Sequence, residues 1–386
     1  MPLRDDPMLY FDNNATTRVD PLVLEAMLPF LTEQYGNPSS GCRLGKLAAN
    51  AVERAREQMA ALLGCEPREV VFTSGGTESI NAALASALQQ NPERRHLVTT
   101  AIEHSAMLKP CEALEKRGYE ITRLTVDNQG RLDMTEVAHK IQGDTALLSV
   151  MAANNETGVL FPIRKLAEIA QEKGVFFHTD AVQAVGKIPI RLAEMQVAYM
   201  SVSSHKIHGP KGVGALYVNR RTAFHPLLLG GGQENGRRAG TENVAGIVGL
   251  GKAAELAAQC MEREQTEVKA LRDAFENGVL ERLSGVQVNG DRTARLPNTS
   301  SLAFEGVEAE SALLLLERAR LCASAGSACM AGSLHPSHVL RAMGFSNERA
   351  RGSLRFSFSR FNTAAEVEKA LELLPGIVAK LRGAAP

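Results

Sequence analysis

A short apolar run that ends in polar residues recurs five times in the first 210 residues of the chain, and helical patterns stand between several of the runs. The runs are 69–72, 97–100, 146–151, 174–177 and 197–202. Strands that alternate with helices are typical of a mainly parallel sheet covered by helices on both faces. We therefore predict an α/β fold, because few other architectures satisfy this pattern.

The chain has 386 residues, which is long for a single hydrophobic core. We predict a large α/β domain over 16–262 and a smaller α+β domain over 263–386, joined by 1–15. The boundary is expected inside the helical stretch 244–283. In the small domain, 353–359 alternates as a strand does, with its apolar residues facing a core.

Charge and composition exclude several classes of protein. Lys plus Arg and Asp plus Glu number 43 each, so no net field attracts nucleic acid or an anionic membrane. Residues 1–7 lack the apolar core of a signal peptide, and no run of about 18 apolar residues occurs, so we expect a cytoplasmic protein that binds neither membrane nor nucleic acid. The six cysteines form no C-x-x-C pair, which argues against a zinc knuckle or a disulfide framework.

Polar side chains cluster at the ends of the predicted strands. Ligands of parallel sheets bind at the carboxyl ends of strands. Packing alone hardly explains five such positions. They are His104, Asn155, Asp180, Gln183 and Lys206.

Lys206 and Asp180 follow consecutive predicted strands, and Gly209-Pro210 forces a turn directly after the lysine. A solvated surface lysine is the alternative reading. Pyridoxal phosphate (PLP) requires a lysine that forms a Schiff base and an aspartate that keeps the pyridine nitrogen protonated. The pair therefore indicates a PLP site.

Two glycine-rich segments are candidates for binding an anion. Residues 73–78 form a glycine turn before a predicted helix, which suits a phosphate, although such residues also cap helices without binding anything. Neither nucleotide-binding glycine motif, G-x-x-x-x-G-K-[ST] or G-x-G-x-x-G, is present. Residues 230–243 contain Arg237 and Arg238, and they are either a flexible surface loop or a second anion site.

Arg355 and Cys329 are the candidate residues of the C-terminal part. Arg355 points away from the core on its predicted strand, where it either binds a carboxylate or is a solvated edge residue. Cys329 lies in the segment 323–333, which is built from small residues, and this favours a reactive thiol in a mobile loop over a buried one.

The chain resembles the cysteine desulfurases, and among them the nitrogen-fixation type. The motifs that carry the resemblance are Ser203-Ser204-His205-Lys206, Thr179-Asp180-Ala181-Val182-Gln183, 237–243 and Ser327-Ala328-Cys329. The similarity extends from Asp12 to Ser357. It implies the fold of the fold-type I PLP-dependent transferases, with a seven-stranded type of sheet.

The resemblance also implies a role for each site residue. Lys206 would form the Schiff base, Asp180 would contact the pyridine nitrogen, Gln183 would donate to the ring oxygen, and His104 would stack on the ring. The phosphate would be held by Gly76, Thr77, Ser203 and His205, and by Thr241 from the neighbouring subunit of a homodimer. Asn155 and Arg355 would orient the substrate carboxylate, and Asn155 would also belong to the cofactor site.

For the reaction, the resemblance implies that L-cysteine gives L-alanine and a persulfide on Cys329. Because a free thiol is mostly protonated at neutral pH, we expect a proton acceptor nearby, and His104 is the candidate. The sulfur would pass to an acceptor or iron–sulfur scaffold protein, with Cys329 as a transient iron–sulfur ligand. A selenocysteine lyase, an aminotransferase and a scaffold without activity are the alternatives.

Overall fold

A computed structural model describes residues 8–326 and 336–383 of the chain. The strands are β1 (Leu9–Tyr10), β2 (Val70–Thr73), β3 (His96–Thr100), β4 (Glu120–Leu124), β5 (Thr145–Ser149), β6 (Phe176–Asp180), β7 (Tyr199–Ser203), β8 (Gly214–Val218), β9 (Val286–Val288), β10 (Thr299–Phe304), β11 (Leu321–Cys322) and β12 (Ser353–Ser357).

The helices of the N-terminal part are α1 (Pro21–Thr32), α2 (Arg43–Leu63), α3 (Gly76–Gln90), α4 (Ser105–Glu115), α5 (Met134–Lys140) and α6 (Ile163–Glu172). Those that follow are α7 (Val244–Gln259), α8 (Met261–Arg263), α9 (Lys269–Arg282), α10 (Ala309–Arg318), α11 (His338–Ala342), α12 (Asn347–Arg351) and α13 (Ala364–Gly383).

Seven strands form the central sheet, in the order β2-β8-β7-β6-β5-β3-β4. The pairs from β4 through β3, β5 and β6 to β7 are all parallel, whereas β8 runs antiparallel to both of its neighbours, β7 and β2. The predicted mainly parallel α/β sheet is therefore confirmed. The sequence analysis did not predict β4 or β8, and β8 is responsible for the antiparallel edge.

The sheet is covered on both sides, as is typical of a mainly parallel sheet. Every residue of β3, β5 and β7 is buried, and one large apolar cluster extends from the sheet into α2, α6 and α7. Because β5, β6 and β7 are parallel, their carboxyl ends lie at one edge of the sheet, and this edge carries the site.

A second core lies in the C-terminal part. The antiparallel sheet β12-β10-β9 packs against α9, α10 and α13 around Phe11, Phe275, Phe356 and Phe358. Phe11 and Phe358 lie with ring centroids 4.8 Å apart, and Phe275 contacts Phe356 at 4.6 Å. Phe11 belongs to the N-terminal segment, which joins this core because β1 pairs in parallel with β11.

The helical stretch 244–283 is not one helix. It bends by 61° between α7 and the helix Met261–Arg282, and a π-helical turn over Glu264–Val268 interrupts the second part. The predicted domain boundary near residue 262 coincides with this bend but stays a prediction, because Val339 and Leu340 also pack into the first core. In residues 8–326 and 336–383, this bent pair has the length and composition of a membrane span, and no single helix has both.

Candidate active site

A cleft of about 450 Å³ opens at the carboxyl ends of β5, β6 and β7, between the two cores. Ten of the predicted site residues line it. They are Gly76, Thr77, His104, Asn155, Asp180, Gln183, Ser203, His205, Lys206 and Arg355. The structure therefore brings together side chains from both parts of the chain, as strand-end clustering predicts.

Lys206 ends a single 3₁₀ turn, Ser204–Lys206, which directly follows β7. Its Nζ donates hydrogen bonds to the backbone oxygens of Asn14, at 2.6 Å, and Ala15, at 2.8 Å. The alternative of a solvated surface lysine is therefore wrong. The two carbonyls come from the N-terminal segment, for which the sequence analysis assigned no role in the site.

Asp180 is the last residue of β6 and is 8% exposed. Its Oδ1 accepts a hydrogen bond from the Val182 N–H at 2.9 Å, and the side chain lines the cleft. Burial raises the pKa of Asp180, while the nearby His104 and Lys206 act in the opposite direction. A cation bound in the cleft would favour its charged form further.

His104 is the N-cap of α4, and its Nδ1 accepts a hydrogen bond from the Ala106 N–H at 3.1 Å. A neutral ring with Nδ1 as acceptor carries its hydrogen on Nε2. Burial lowers the pKa of His104, and Lys206 lowers it further. The predicted role of His104 as proton acceptor stays a prediction, and this cap counts against it.

His338 is the third histidine that lines the cleft, after His104 and His205, and the sequence analysis missed it. Its Nε2 lies 2.9 Å from the carbonyl oxygen of Glu103, and a carbonyl can only accept. The neutral His338 ring therefore has its lone pair on Nδ1. The contacts of His104 and His338 place the hydrogen of each neutral ring on Nε2. Within residues 8–326 and 336–383, Nδ1 of His338 accepts no hydrogen bond.

The predicted phosphate residues lie together at one end of the cleft. Gly76 begins α3, whose first turn has backbone N–H groups without intrahelical partners, and Gly76, Thr77, Ser203 and His205 line the same cleft. A Cβ on Gly76 would lie 2.9 Å from Cγ2 of Val182, so only glycine allows this close approach. His205 contacts Thr16 Oγ1 through Nδ1, and burial, followed by Lys206, lowers its pKa to about 4.

The segment 230–243 does not reach the cleft of its own chain. Arg237 donates to the backbone oxygens of Arg68 and Val70, and Arg238 pairs with Glu78 at 2.9 Å. These contacts account for both arginines, so a second anion site gains no support here. Thr241 is exposed and does not line this cleft, and its predicted role in a neighbouring subunit stays a prediction.

Arg355 lies on β12, is 2% exposed and faces the cleft while its neighbours Leu354 and Phe356 enter the second core. Its Nη2 pairs with Asp12 Oδ1 at 2.7 Å, and its Nη1 donates to the oxygens of Asn155, at 2.8 Å, and Gly326, at 3.2 Å. The reading as a solvated edge arginine is therefore wrong. Asp12, its carboxylate partner, was not predicted.

Cys329 lies outside the described residues, so its predicted catalytic and iron–sulfur roles stay predictions. The described residues on either side of it converge on one buried carboxyl. Ser337 Oγ donates to Oε2 of Glu156, and a Cβ on Gly326 would lie 2.9 Å from the same oxygen. Residues 326 and 337 therefore lie close together beside the cleft.

These residues fit PLP. One end of the cleft offers helix N–H groups to a phosphate, Asp180 offers a buried carboxyl to a ring nitrogen, and Lys206 offers an amine between them. Burial raises the pKa of the Asp180 carboxyl, and a protonated pyridine nitrogen in the cleft would stabilise its charged form. Gln183 donates to the Asn14 carbonyl at 2.9 Å and lies beside them.

Known proteins share both the sequence and the fold. The class-V aminotransferase family matches residues 9–370. The chain is 52% identical over 379 residues to cysteine desulfurase 2 of Trichormus variabilis, covering 98% of this chain and 95% of that protein. It is equally 52% identical to the cysteine desulfurase NifS of Azotobacter vinelandii, over 98% of this chain and 94% of that one.

A solved structure described as a NifS-like protein superposes with a TM-score of 0.91 at 38% identity, covering 97% of this chain and 100% of its own. The fold-type I architecture predicted from the resemblance is thereby confirmed, and so is PLP as the cofactor. The chain belongs to the class-V aminotransferase family of PLP-dependent enzymes and, within it, to the cysteine desulfurases.

Proposed function

We propose that this enzyme removes sulfur from L-cysteine and leaves L-alanine and a persulfide on Cys329. The observation that carries the proposal is a single cleft in which a held lysine, a buried aspartate and a buried arginine meet. These groups suit an amino acid substrate, and the relatives at 52% identity are cysteine desulfurases.

When bound, PLP supplies an aldehyde for the substrate amine and a ring that withdraws electrons from Cα. Asp180 keeps the ring nitrogen protonated, which its position at the end of β6 supports. Lys206 takes the Cα proton once its amine is free and neutral. The carbonyls of Asn14 and Ala15 hold that amine in place, so the lysine side chain is already positioned for proton transfer.

Arg355 orients the substrate through its carboxylate, together with Asn155. Arg355 is itself oriented by Asp12 and by the Asn155 carbonyl, and a guanidinium that is already fixed loses little freedom on binding. Its Nε is buried and makes no hydrogen bond within residues 8–326 and 336–383. Arg355 lines the cleft, so a substrate carboxylate would contact the guanidinium from that side.

Cys329 then attacks as a thiolate. Its sulfur forms a bond to the substrate sulfur, the bond from that sulfur to Cβ breaks, and Cβ keeps the electron pair and is protonated to give L-alanine. For the proton acceptor we favour His338 over the predicted His104, because Nδ1 of His104 already accepts from Ala106. The variant His338→Asn should bind PLP normally and form the Cys329 persulfide more slowly, whereas an unchanged rate would return the role to His104.

A homodimer, a cytoplasmic location and transfer of the sulfur to an acceptor for iron–sulfur assembly, with nitrogenase as its destination, complete the proposal. Exposed apolar side chains support the dimer. Leu28 and Leu31 on α1 and Leu229 are 48%, 61% and 83% exposed, and removal of such side chains from water favours association. In that dimer Thr241 would complete the phosphate site of the neighbouring subunit.

The test is incubation of the purified enzyme with L-cysteine, scored for L-alanine and for one added sulfur atom on the peptide that contains Cys329. We expect both products. The variant Cys329→Ala should bind PLP normally and form no sulfide, whereas an aminotransferase would not depend on this residue. Higher turnover on selenocysteine than on cysteine would instead favour a selenocysteine lyase.

A further inference from the structure

We propose that Lys187 is a positioning residue that fixes the side-chain amide of Gln183, so that one N–H of Gln183 faces the ring oxygen of the cofactor. The inference rests on the proposed function and extends it to a residue outside the cleft lining. Lys187 follows the turn after β6 and was not singled out by its sequence, since most lysines are on the surface.

Lys187 is buried, with 5% of its surface exposed, behind the floor of the cleft. Its Nζ donates two hydrogen bonds to one residue, to the backbone oxygen and to the side-chain Oε1 of Gln183, both at 3.0 Å. Gln183 is equally buried. The two side chains therefore meet away from water, where such contacts are strongest.

The chemistry of the lysine determines which way the amide of Gln183 points. A lysine amine next to an amide donates to its oxygen, so Oε1 must face Lys187. On the opposite side Nε2 donates to the backbone oxygen of Asn14 at 2.9 Å, and a carbonyl only accepts. A reversed amide would set donor against donor at Lys187 and acceptor against acceptor at Asn14, so both contacts select one orientation.

The selected orientation leaves one N–H of Gln183 for the cleft. Nε2 carries two hydrogens and the Asn14 carbonyl takes one of them. The same carbonyl accepts from Lys206 at 2.6 Å, so a chain of contacts joins Lys187, Gln183, Asn14 and Lys206. Without Lys187 the amide could turn and present its oxygen to the anionic ring oxygen, which repels it.

The charge around Lys187 allows this role. Burial lowers the pKa of Lys187 to about 7, Lys206 and Arg355 lower it as well, and Glu264 acts in the opposite direction. Lys187 and Glu264 both line a small cavity, of about 10 Å³, behind Lys206. Because a neutral amine still has two hydrogens, Lys187 can donate to both oxygens of Gln183 in either protonation state.

The experiment compares Lys187→Met, Gln183→Leu and the double variant as full-length dimers. Two quantities are measured: the dissociation constant of PLP from the apoenzyme, and the pH midpoint of the absorbance change of the lysine-bound cofactor. A donor to the ring oxygen stabilises its anion, so loss of the donor should raise the midpoint by about one pH unit. We expect this shift, and about fivefold weaker PLP binding, in Lys187→Met and in Gln183→Leu alike.

The double variant decides between positioning and packing. If Lys187 acts through Gln183, the double variant should show the shift of one single variant, because coupled residues are not additive. Additive shifts, or an unchanged midpoint in Lys187→Met with only a lower melting temperature, would overturn the proposal. Lys173→Met, at an exposed position after α6, is the control and should leave the midpoint unchanged.

Lys187→Gln keeps the test informative if the methionine variant does not fold. Its amide can present either an N–H or an oxygen to Gln183, so we expect a smaller rise of the midpoint; no rise would count against the proposal. The wild-type enzyme separates the two hypotheses. If it binds no PLP, the proposed function fails, whereas normal PLP binding with an unchanged midpoint in Lys187→Met refutes only the positioning role.

Discussion

Two buried arginines, Arg56 on α2 and Arg355 at the cleft, have different surroundings. Arg56 on α2 donates through both Nη atoms to Glu234, at 2.7 Å each, and through Nε to Glu53. Glu234 also accepts from the Phe72 N–H, so its charge is balanced on several sides. Arg355 has one carboxylate contact, to Asp12, and its Nε makes no hydrogen bond within the described residues.

The difference between their contacts indicates that Arg56 contributes to stability and that Arg355 binds a ligand. At Arg56, each nitrogen of the guanidinium contacts an acceptor of the protein, so no capacity is left for a ligand. At Arg355, backbone oxygens orient the group but leave one donor unused among residues 8–326 and 336–383. An unused buried donor lowers stability, so the surroundings of Arg355 favour a role in the cleft that it lines over a role in stability.

The largest effect is expected for Arg56→Met. Removal of one partner leaves the buried charge of Glu234 without compensation, which costs about 3–5 kcal/mol of unfolding free energy. Denaturant unfolding measures the loss, and Arg68→Met, at an exposed ion pair, is the control with less than about 1 kcal/mol. The activity of the folded Arg56 variant should stay normal. A stability loss no larger than that of Arg68→Met would contradict the structural role of Arg56.

A smaller effect on free energy, but a specific one on activity, is expected for Arg355→Lys. Lysine keeps the charge and loses the planar fork, so kcat/KM for L-cysteine should fall by about 10- to 100-fold while the melting temperature changes little. Arg360→Lys is a matched control, because Arg360 is also buried and also pairs with one aspartate, Asp20, but does not line the cleft. Equal losses in both variants would contradict a substrate-binding role.

A third effect, which depends on pH, concerns a buried carboxyl that has no arginine partner among the described residues. Glu103 accepts from the Thr100 hydroxyl at 2.8 Å and the Met151 N–H at 3.0 Å, and burial raises its pKa to about 8. Because its pKa is higher in the folded than in the unfolded state, stability is full below about pH 4.5 and falls as the pH rises to about 8, by at most about 1.4 kcal/mol per pH unit.

Glu103→Gln should flatten that dependence, which unfolding measured at pH 5, 6, 7 and 8 would detect. The carboxyl of Glu234, which is paired with an arginine, is the natural contrast, but Asp291→Asn serves better as the control. Asp291 accepts hydrogen bonds from Arg131 and from two backbone N–H groups, and these contacts lower its pKa. Its contribution to stability is therefore lost only as the pH falls through the acidic range. An Asp291 variant that matched Glu103→Gln would show that the pH effect is not specific to Glu103.

The sequence predicted the fold wherever local pattern and global architecture agree. Strands buried on both faces are short apolar runs, and their polar ends identified the lysine, the aspartate and the glutamine of the cleft. The strand β8 was missed because Gly214 begins it and the loop before it contains Gly209, Pro210 and Gly212. Its antiparallel direction depends on pairing with β7, which no local pattern encodes.

The parts of the site that were missed depend on contacts between distant segments. Asn14 contributes a backbone carbonyl, and a backbone atom has no residue-type signal. Asp12 and Lys187 have charged side chains that are usually solvated, and only the tertiary structure reveals that Arg355 and Gln183 contact them. His338 begins α11 directly after Pro336 and Ser337, and its closeness in sequence to Cys329 could have marked it as a cleft residue.

The N-terminal segment has a consequence for how the enzyme matures. Leu9 and Tyr10 pair with Leu321 and Cys322, and the next residues supply the carbonyls that hold Lys206. On the ribosome, the segment that anchors the lysine emerges first, yet its own partner strand emerges near the end of synthesis. The catalytic pocket should therefore be among the last parts to form, and a nascent chain could not gain activity before its C-terminal strands have emerged.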